Sequence, residues 1–305
     1  MVYGAAILNI IMLSRKQPDY LHDMLYYGFK SLGHKVMDLP SKPNLHTSEV
    51  GLLRLNFEED SFEDADLLLV CEYPKYFEHN FELYFQDIKD RYRPKRVAFI
   101  DGSDRPEDFP ESIFNKGDVL FRRELFEQKE GIFNLPFAAF PERPVLNIPK
   151  NIDILFCGSY SGQPFRQSVW NRLYSMGISK GLCIYNSLMP VERAQYLDLI
   201  GRSRVVISTR GYGCDCYRYW ETPALGAVML TEEIPIAFEN DFIDGVECFK
   251  FRLGDLDHME SVLYSILQRS QRELDLIAIQ ALHKTKMYHR PEDRAYSVLK
   301  VLHIN

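Results

Sequence analysis

What most constrains the fold of this chain is a rhythm: short, unbroken apolar runs alternate with amphipathic segments. "AILNIIML" (6–13), "HKVMDLP" (34–40), "ADLLLVCE" (65–72), "KRVAFIDGSD" (95–104) and "GDVLFRR" (117–123) read as strands. Between them, "PDYLHDMLYYGFKSLG" (18–33) has helical spacing, with Pro18 near its first turn and Gly33 at its stop. "FEHNFELYFQDIKDRY" (77–92) is a second helix. Strands that are apolar throughout, rather than at every other residue, are covered on both faces, which is the signature of a parallel sheet between helices.

The rhythm breaks at "LPFAAFPERPVLNIPK" (135–150), where Pro136, Pro141, Pro144 and Pro149 favour an extended connector. It then restarts with strands at "IDILFCG" (152–158), "GLCIYN" (181–186), "RVVIST" (204–209), "GAVMLTEE" (226–233) and "VECFKF" (246–251). Helices are predicted over "PFRQSVWNRLYSMG" (164–177, stopping at Gly177) and "PVERAQYLDLIGRS" (190–203), and in three further segments from Asp257 onward. Asp257 with Glu260 reads as a capping box. The expected fold class is α/β: two Rossmann-like doubly wound domains facing a cleft, closed by C-terminal helices. The first domain is expected over 1–145, joined by the helix at 290–305, and the second over 146–289. Ligands in such sheets bind at the carboxyl ends of the strands, so the cleft is the default site.

Composition narrows the function classes. A formal net charge of -7 argues against a general basic footprint for nucleic acid or anionic membrane. A continuous groove of Arg91, Arg93, Lys95, Arg96, Arg122 and Arg123 would restore a nucleic-acid acceptor; the competing reading is a solvated face. The apolar run near the start is too short to span a bilayer. The six cysteines are scattered, without the pattern of a disulfide framework, and a reducing, cytoplasmic setting is expected.

The stretch richest in chemistry is "GYGCDCYRYWETPALGAVML" (211–230). Cys214-Asp215-Cys216 lacks the spacing of a zinc site, and no second Cys/His pair follows nearby. Asp255-Leu256-Asp257 sits at a helix start and reads as a cap, not a divalent-metal motif. A phosphate reading fits better. Gly211 and Gly213 follow a strand, and a helix is predicted from near Tyr217. A glycine-bearing loop before a helix N-terminus presents backbone N–H groups and a positive dipole end. Arg210 and Arg218 can add charge-assisted bonds to phosphate oxygens. A tight turn with solvated arginines is the plain alternative.

Glu221, Gly226 and the following "AVMLTEE" form a pattern that resembles the donor-binding signature of glycosyltransferases with the two-Rossmann GT-B fold. "RYWETPALGAVMLTEEIPIAFENDFIDGVECFKF" (218–251) and "ILFCGSYSGQPFRQSVWNRLYSMGI" (154–178) resemble the CgeB-like and exostosin-like branches, including Asp244, Gly245 and Glu247. The resemblance runs over roughly 152–300 and is generic before that. It implies that Glu221 accepts hydrogen bonds from the ribose hydroxyls of a nucleotide-sugar, which a carboxylate can do for two vicinal hydroxyls. It further implies an enzyme that needs neither metal nor bound cofactor, the nucleotide-sugar being a co-substrate. The diphosphate falls to Arg218 and the 211–213 backbone, with Arg210 and Arg166 as weaker candidates. Gly158, Ser159, Tyr212, Asp215, Tyr217 and Thr222 complete the expected donor site, the two tyrosines as stacking partners for the base or as core. One departure matters: the commonest retaining enzymes carry Glu, seven residues, then the second Glu, but Gly213 stands at the first position here. The stereochemical outcome stays open.

A base to deprotonate the acceptor is expected in the N-terminal half. Asp101 and Asp104, at the end of a buried strand, are the first candidates; a turn cap is the plain alternative for Asp101. His22 and Glu72 follow, His22 also fitting a buried structural role. Two rivals stand beside the transferase: a nucleotide-sugar epimerase on the same scaffold, and a two-lobed nucleotide-sugar-binding or assembly protein without catalysis. The acceptor, whether glycan, small molecule, protein or nucleic acid, and the oligomeric state are left open by these residues.

Overall fold

In a computed structural model the described residues are 6–13, 19–39, 58, 60–71, 81–104, 117–139, 148–158, 164–187, 189 and 191–304. The chain divides into two compact units, Met1–Ala138 with Arg290–Asn305, and Ala139–His289. The first crossing thus lies ahead of residue 145.

The first unit carries a parallel sheet ordered β2-β1-β3-β4-β5-β6. Its strands are β1 (Asn9–Leu13), β2 (Lys35–Leu39), β3 (Leu67–Val70), β4 (Arg96–Asp101), β5 (Val119–Arg122) and β6 (Ile132–Asn134). Ile10 to Leu13 and Leu67 to Val70 are buried at every consecutive position, so both faces are covered, as the unbroken apolar runs require. β6 is a strand that the sequence pattern does not announce. It is three residues long with one exposed apolar side chain, Phe133.

Helix α1 (Tyr20–Ser31) is capped by Asp19, whose carboxylate accepts the His22 N–H at 2.8 Å, and the chain leaves it through Gly33 at φ 89°. Helix α2 covers Phe81–Tyr92. The helix Pro291–Val301, α8 of this fold, packs on α1 within the same unit. The approach is close enough that a methyl group on Gly28 would run into the Pro291 carbonyl. Arg294, buried, donates from Nε to the carbonyls of Pro136 (3.2 Å) and Phe137 (3.0 Å).

The second unit has a parallel sheet ordered β11-β10-β9-β7-β8, built from β7 (Ile152–Cys157), β8 (Ile184–Ser187), β9 (Ser203–Ser208), β10 (Met229–Glu232) and β11 (Phe249–Phe251). Its helices are α3 (Pro164–Lys180), α4 (Arg193–Arg202), α5 (Tyr217–Ala224), α6 (Leu256–Leu267) and α7 (Gln271–Tyr288). From β7 the chain goes to one side for β8, then to the other for β9, β10 and β11. β7 and β9 are therefore the switch point, where the crevice beyond the strand ends receives ligands in sheets of this type. One core fills a face of this sheet with Phe156, Val205, Leu230, Leu263 and Ile277 among its members, and a second lies around Leu155, Ile200 and Val206.

Two sequence expectations are corrected. Helix α3 runs through Gly177 to Lys180. A side chain at Gly177 would meet Ile184 at an ordinary 3.6 Å, and the stop falls instead on Gly181, whose φ of 64° suits glycine. Asp257 and Glu260 form no capping box. Asp255 is the cap of α6, accepting the His258 N–H at 2.9 Å, while Asp257 and Glu260 both bind Arg172. Among the described residues no helix is long and apolar enough to cross a membrane.

Candidate functional site

At the switch point of the second sheet, the loop after β9 and the start of α5 gather the residues singled out above. Three donors converge on the Thr209 carbonyl: Arg166 Nη2 (3.3 Å), Arg218 Nη1 (3.5 Å) and Cys216 Sγ (3.5 Å). Arg166 Nε also donates to the Arg210 carbonyl at 2.9 Å. The glycines make room for this. A Cβ at Gly158, just beyond β7, would stand 3.0 Å from Arg218 Nη2, and one at Gly211 would stand 3.3 Å from Arg166 Nη2. Glycine thus serves close approach of guanidinium groups rather than an unusual backbone angle.

This refines the phosphate reading. The Gly211 N–H donates to the Gly213 carbonyl (2.9 Å) and the Gly158 N–H to the Ser187 carbonyl (3.0 Å), so these amides are spent inside the fold. The N-terminus of α5 is less closed, since Cys216 at the cap makes no side-chain capping bond. Of the three arginines, Arg166 is tied down by two carbonyls. Arg210 differs: its guanidinium lies 5.4 Å from the Phe165 ring centroid, with Nε 4.0 Å from Glu232 Oε1, and among the described residues it donates no hydrogen bond.

Glu221 lies in the second turn of α5, 7% exposed. Its Oε1 accepts from Arg193 Nη1 at 2.6 Å and its Oε2 from the Tyr196 hydroxyl at 3.4 Å. Burial, then the Glu221 charge, pushes the Tyr196 hydroxyl well above the usual tyrosine range. Arg193 and Tyr196, both on α4, have no local signal in the sequence and were not among the expected site residues. The spacing from Glu221 to Gly226 has a physical basis. Gly226, at φ 72°, is the left-handed residue past the helix end; its N–H reaches the Pro223 carbonyl (3.0 Å) and that of Ala227 reaches Thr222 (3.1 Å), which closes the helix and turns the chain into β10.

Other expected donor residues are placed elsewhere. Asp215 is buried and accepts from Trp220 Nε1 at 2.6 Å, so it braces the aromatic cluster behind α5. Thr222 is fully buried, and its hydroxyl has no hydrogen-bond partner among the described residues. Tyr212 and Tyr217 are exposed, not core. Ser159 lies outside the described residues. Cys157 and Cys248 are buried, with thiols pushed up by burial to about 11 and about 12.

In the first unit, Asp101 is buried at the end of β4. It accepts from Arg122 Nε (3.0 Å) and from the Ser103 N–H (3.1 Å) and hydroxyl (2.5 Å). Burial raises its carboxyl above the usual range in spite of these partners. The turn-capping role is the one the geometry displays. Asp104 is exposed and binds Arg123. His22 is buried, its Nε2 3.2 Å from Asp38 Oδ1. Glu72 lies outside the described residues. The basic groove is not formed as a free cationic surface: Arg93, Lys95, Arg96, Arg122 and Arg123 pair with Asp64, Asp66, Asp118, Asp101 and Asp104, and Arg91 lies over the Tyr92 ring.

Two parallel-sheet α/β units in one chain are the architecture of the GT-B class of fold. Solved structures agree. The chain superposes on a glycosyltransferase from Rickettsia africae (11% identity, 98% of each chain, TM-score 0.58). It also superposes on HepE from Anabaena in complex with UDP-glucose (10% identity, 97% of this chain and 99% of that one, TM-score 0.59). Sucrose-phosphate synthase from Thermosynechococcus elongatus gives 9% identity, 97% and 98% coverage and a TM-score of 0.60. At such identities the likeness is one of fold. No protein-family model matches the chain, and no curated protein matches it in sequence.

Proposed function

We propose that this protein is a glycosyltransferase whose second unit binds a nucleotide-sugar at the carboxyl ends of β7 and β9 and delivers the sugar to an acceptor. The observation that carries the reading is the arginine cluster at the switch point, above all Arg210, whose guanidinium has no hydrogen-bond acceptor among the described residues. A diphosphate leaving group needs such donors, because negative charge grows on it as the glycosidic bond breaks. Arg210 and Arg218 with the opening of α5 supply them from the chain itself, so the reaction is metal-independent in this proposal. Glu221, fixed by Arg193 and Tyr196, offers its remaining lone pairs to the ribose, and exposed Tyr212 or Tyr217 stacks on the base. The residue pattern over 152–300 supports the CgeB-like or exostosin-like branch. HepE, solved with UDP-glucose, has this fold and supports a nucleotide-sugar as the ligand class. Six free cysteines favour a reducing, cytoplasmic setting.

A second reading has one observation in its favour. Asp101 and His22 are buried and committed to partners of their own unit, as a nucleotide-sugar-binding protein without catalysis would allow. One panel separates the two. UDP-, GDP-, ADP- and TDP-sugars are assayed together by thermal shift and by donor hydrolysis. Stabilisation with turnover is expected; stabilisation by a nucleotide-sugar with neither hydrolysis nor transfer would favour the binding protein, and no response to any nucleotide would overturn both.

A further inference from the structure

Glu232 ends β10 and has no part in the chemistry above. It is 1% exposed. Its Oε2 accepts the Arg210 N–H at 2.8 Å and its Oε1 accepts the Gly254 N–H at 3.1 Å. A single buried carboxylate therefore ties the loop after β9 to the loop between β11 and α6. Gly254 suits this contact through its φ of 73°, where a side chain would be strained; a Cβ there would meet Arg210 Nη2 at an ordinary 3.6 Å. A buried carboxylate is costly unless its oxygens are satisfied. Here each oxygen takes one backbone N–H, and the Arg210 guanidinium stays beyond hydrogen-bond reach, its Nε 4.0 Å from Oε1.

From this arrangement we infer that Glu232 is a positioning residue for the donor diphosphate. It fixes the Arg210 backbone, and with it the guanidinium, while leaving the guanidinium's donors to a phosphate oxygen. The inference rests on the nucleotide-sugar reading. It makes a prediction whose sign is opposite to that of simple electrostatics. Removing a negative charge beside a phosphate site should tighten phosphate binding by relief of Coulomb repulsion alone. Removing a positioning residue should weaken it.

The test uses the full chain and inorganic pyrophosphate, with uridine, guanosine, adenosine and thymidine as controls that lack phosphate, all by calorimetric titration. In Glu232→Gln the pyrophosphate Kd is expected to rise about tenfold or more while the affinity for whichever nucleoside binds is unchanged. Arg210→Ala is expected to weaken pyrophosphate similarly, and the double variant to be no weaker than Arg210→Ala alone, because Glu232 acts through Arg210. Gly254→Ala strains the same clamp from its other side and is expected to reproduce the loss if Glu232→Gln fails to fold. Equal or tighter pyrophosphate binding in the folded variants, or parallel loss of nucleoside and pyrophosphate, would overturn the positioning role while the nucleotide-sugar reading stands. Failure of the unaltered protein to bind pyrophosphate or any nucleotide would overturn both.

Discussion

Glu221 answers to two partners at once. In the proposed role its carboxylate must stay available to a ribose, yet Arg193 holds one oxygen at 2.6 Å. The ion pair fixes the rotamer without consuming every lone pair, since each carboxylate oxygen can accept more than one hydrogen bond. Glu221→Ala is expected to raise the Kd for the nucleotide found by the panel tenfold or more, measured by titration. The fold is expected to remain, at a cost of roughly 1–2 kcal/mol, because Arg193 reaches water and its loss of partner is screened. Unchanged nucleotide affinity would exclude the ribose role. Cys157 gives a second residue-scale expectation. Its thiol, pushed up to about 11 by burial, stays protonated where an unfolded thiol near 9 ionises. The folded form therefore holds the proton longer, and this contribution to stability is complete below pH 9 and is lost as pH rises from 9 to about 11. Alkylation at pH 8 should label exposed Cys183 well before Cys157 or Cys248, checked by peptide mass.

At the scale of elements, what the sequence discloses depends on how far apart the partners lie. Strands such as Leu67–Val70 are legible because burial on both faces writes itself into consecutive residues. The end of α5 is legible because its terminating hydrogen bonds join residues within five positions, leaving Glu221, Pro223 and Gly226 at fixed spacing. Glu232 and Arg193 are not legible. The first works by meeting Gly254, the second by meeting Glu221, and neither separation carries a period. β6 escapes for a different reason: three residues at a sheet edge are too few to show alternation. Likewise, Asp215 sits in a promising loop, but its partner, the Trp220 indole, draws it into the core. Gly158 tests the packing of the site's arginines. Gly158→Ala places a methyl 3.0 Å from Arg218 Nη2, the far end of a flexible side chain. The expected result is a melting temperature within a few degrees of the original and a several-fold weaker nucleoside diphosphate, read by thermal shift and titration; a large loss of stability would mean that the guanidinium cannot give way.

The whole molecule is a discontinuous unit with a continuous one inserted in it. α8 closes on α1 so tightly that Gly28 tolerates no side chain, and the atom in the way is a backbone carbonyl that cannot swing aside. Gly28→Ala is expected to destabilise the first unit by about 1–3 kcal/mol through overpacking. Calorimetry should show the loss in one of two transitions, while nucleotide titration of the second unit is unaffected.

The same layout sets an order of events during synthesis. Once residues up to 289 are clear of the ribosome, the second unit has all of its strands and can close its sheet, although more than a hundred residues of the first unit were made before it. The earlier-made unit still lacks its partner for the Gly28 face of α1. It must wait, with that groove open to water and to chaperones, until residues 290–305 leave the ribosome. The first unit, begun before the second, is thus completed only by residues made after the whole of the second.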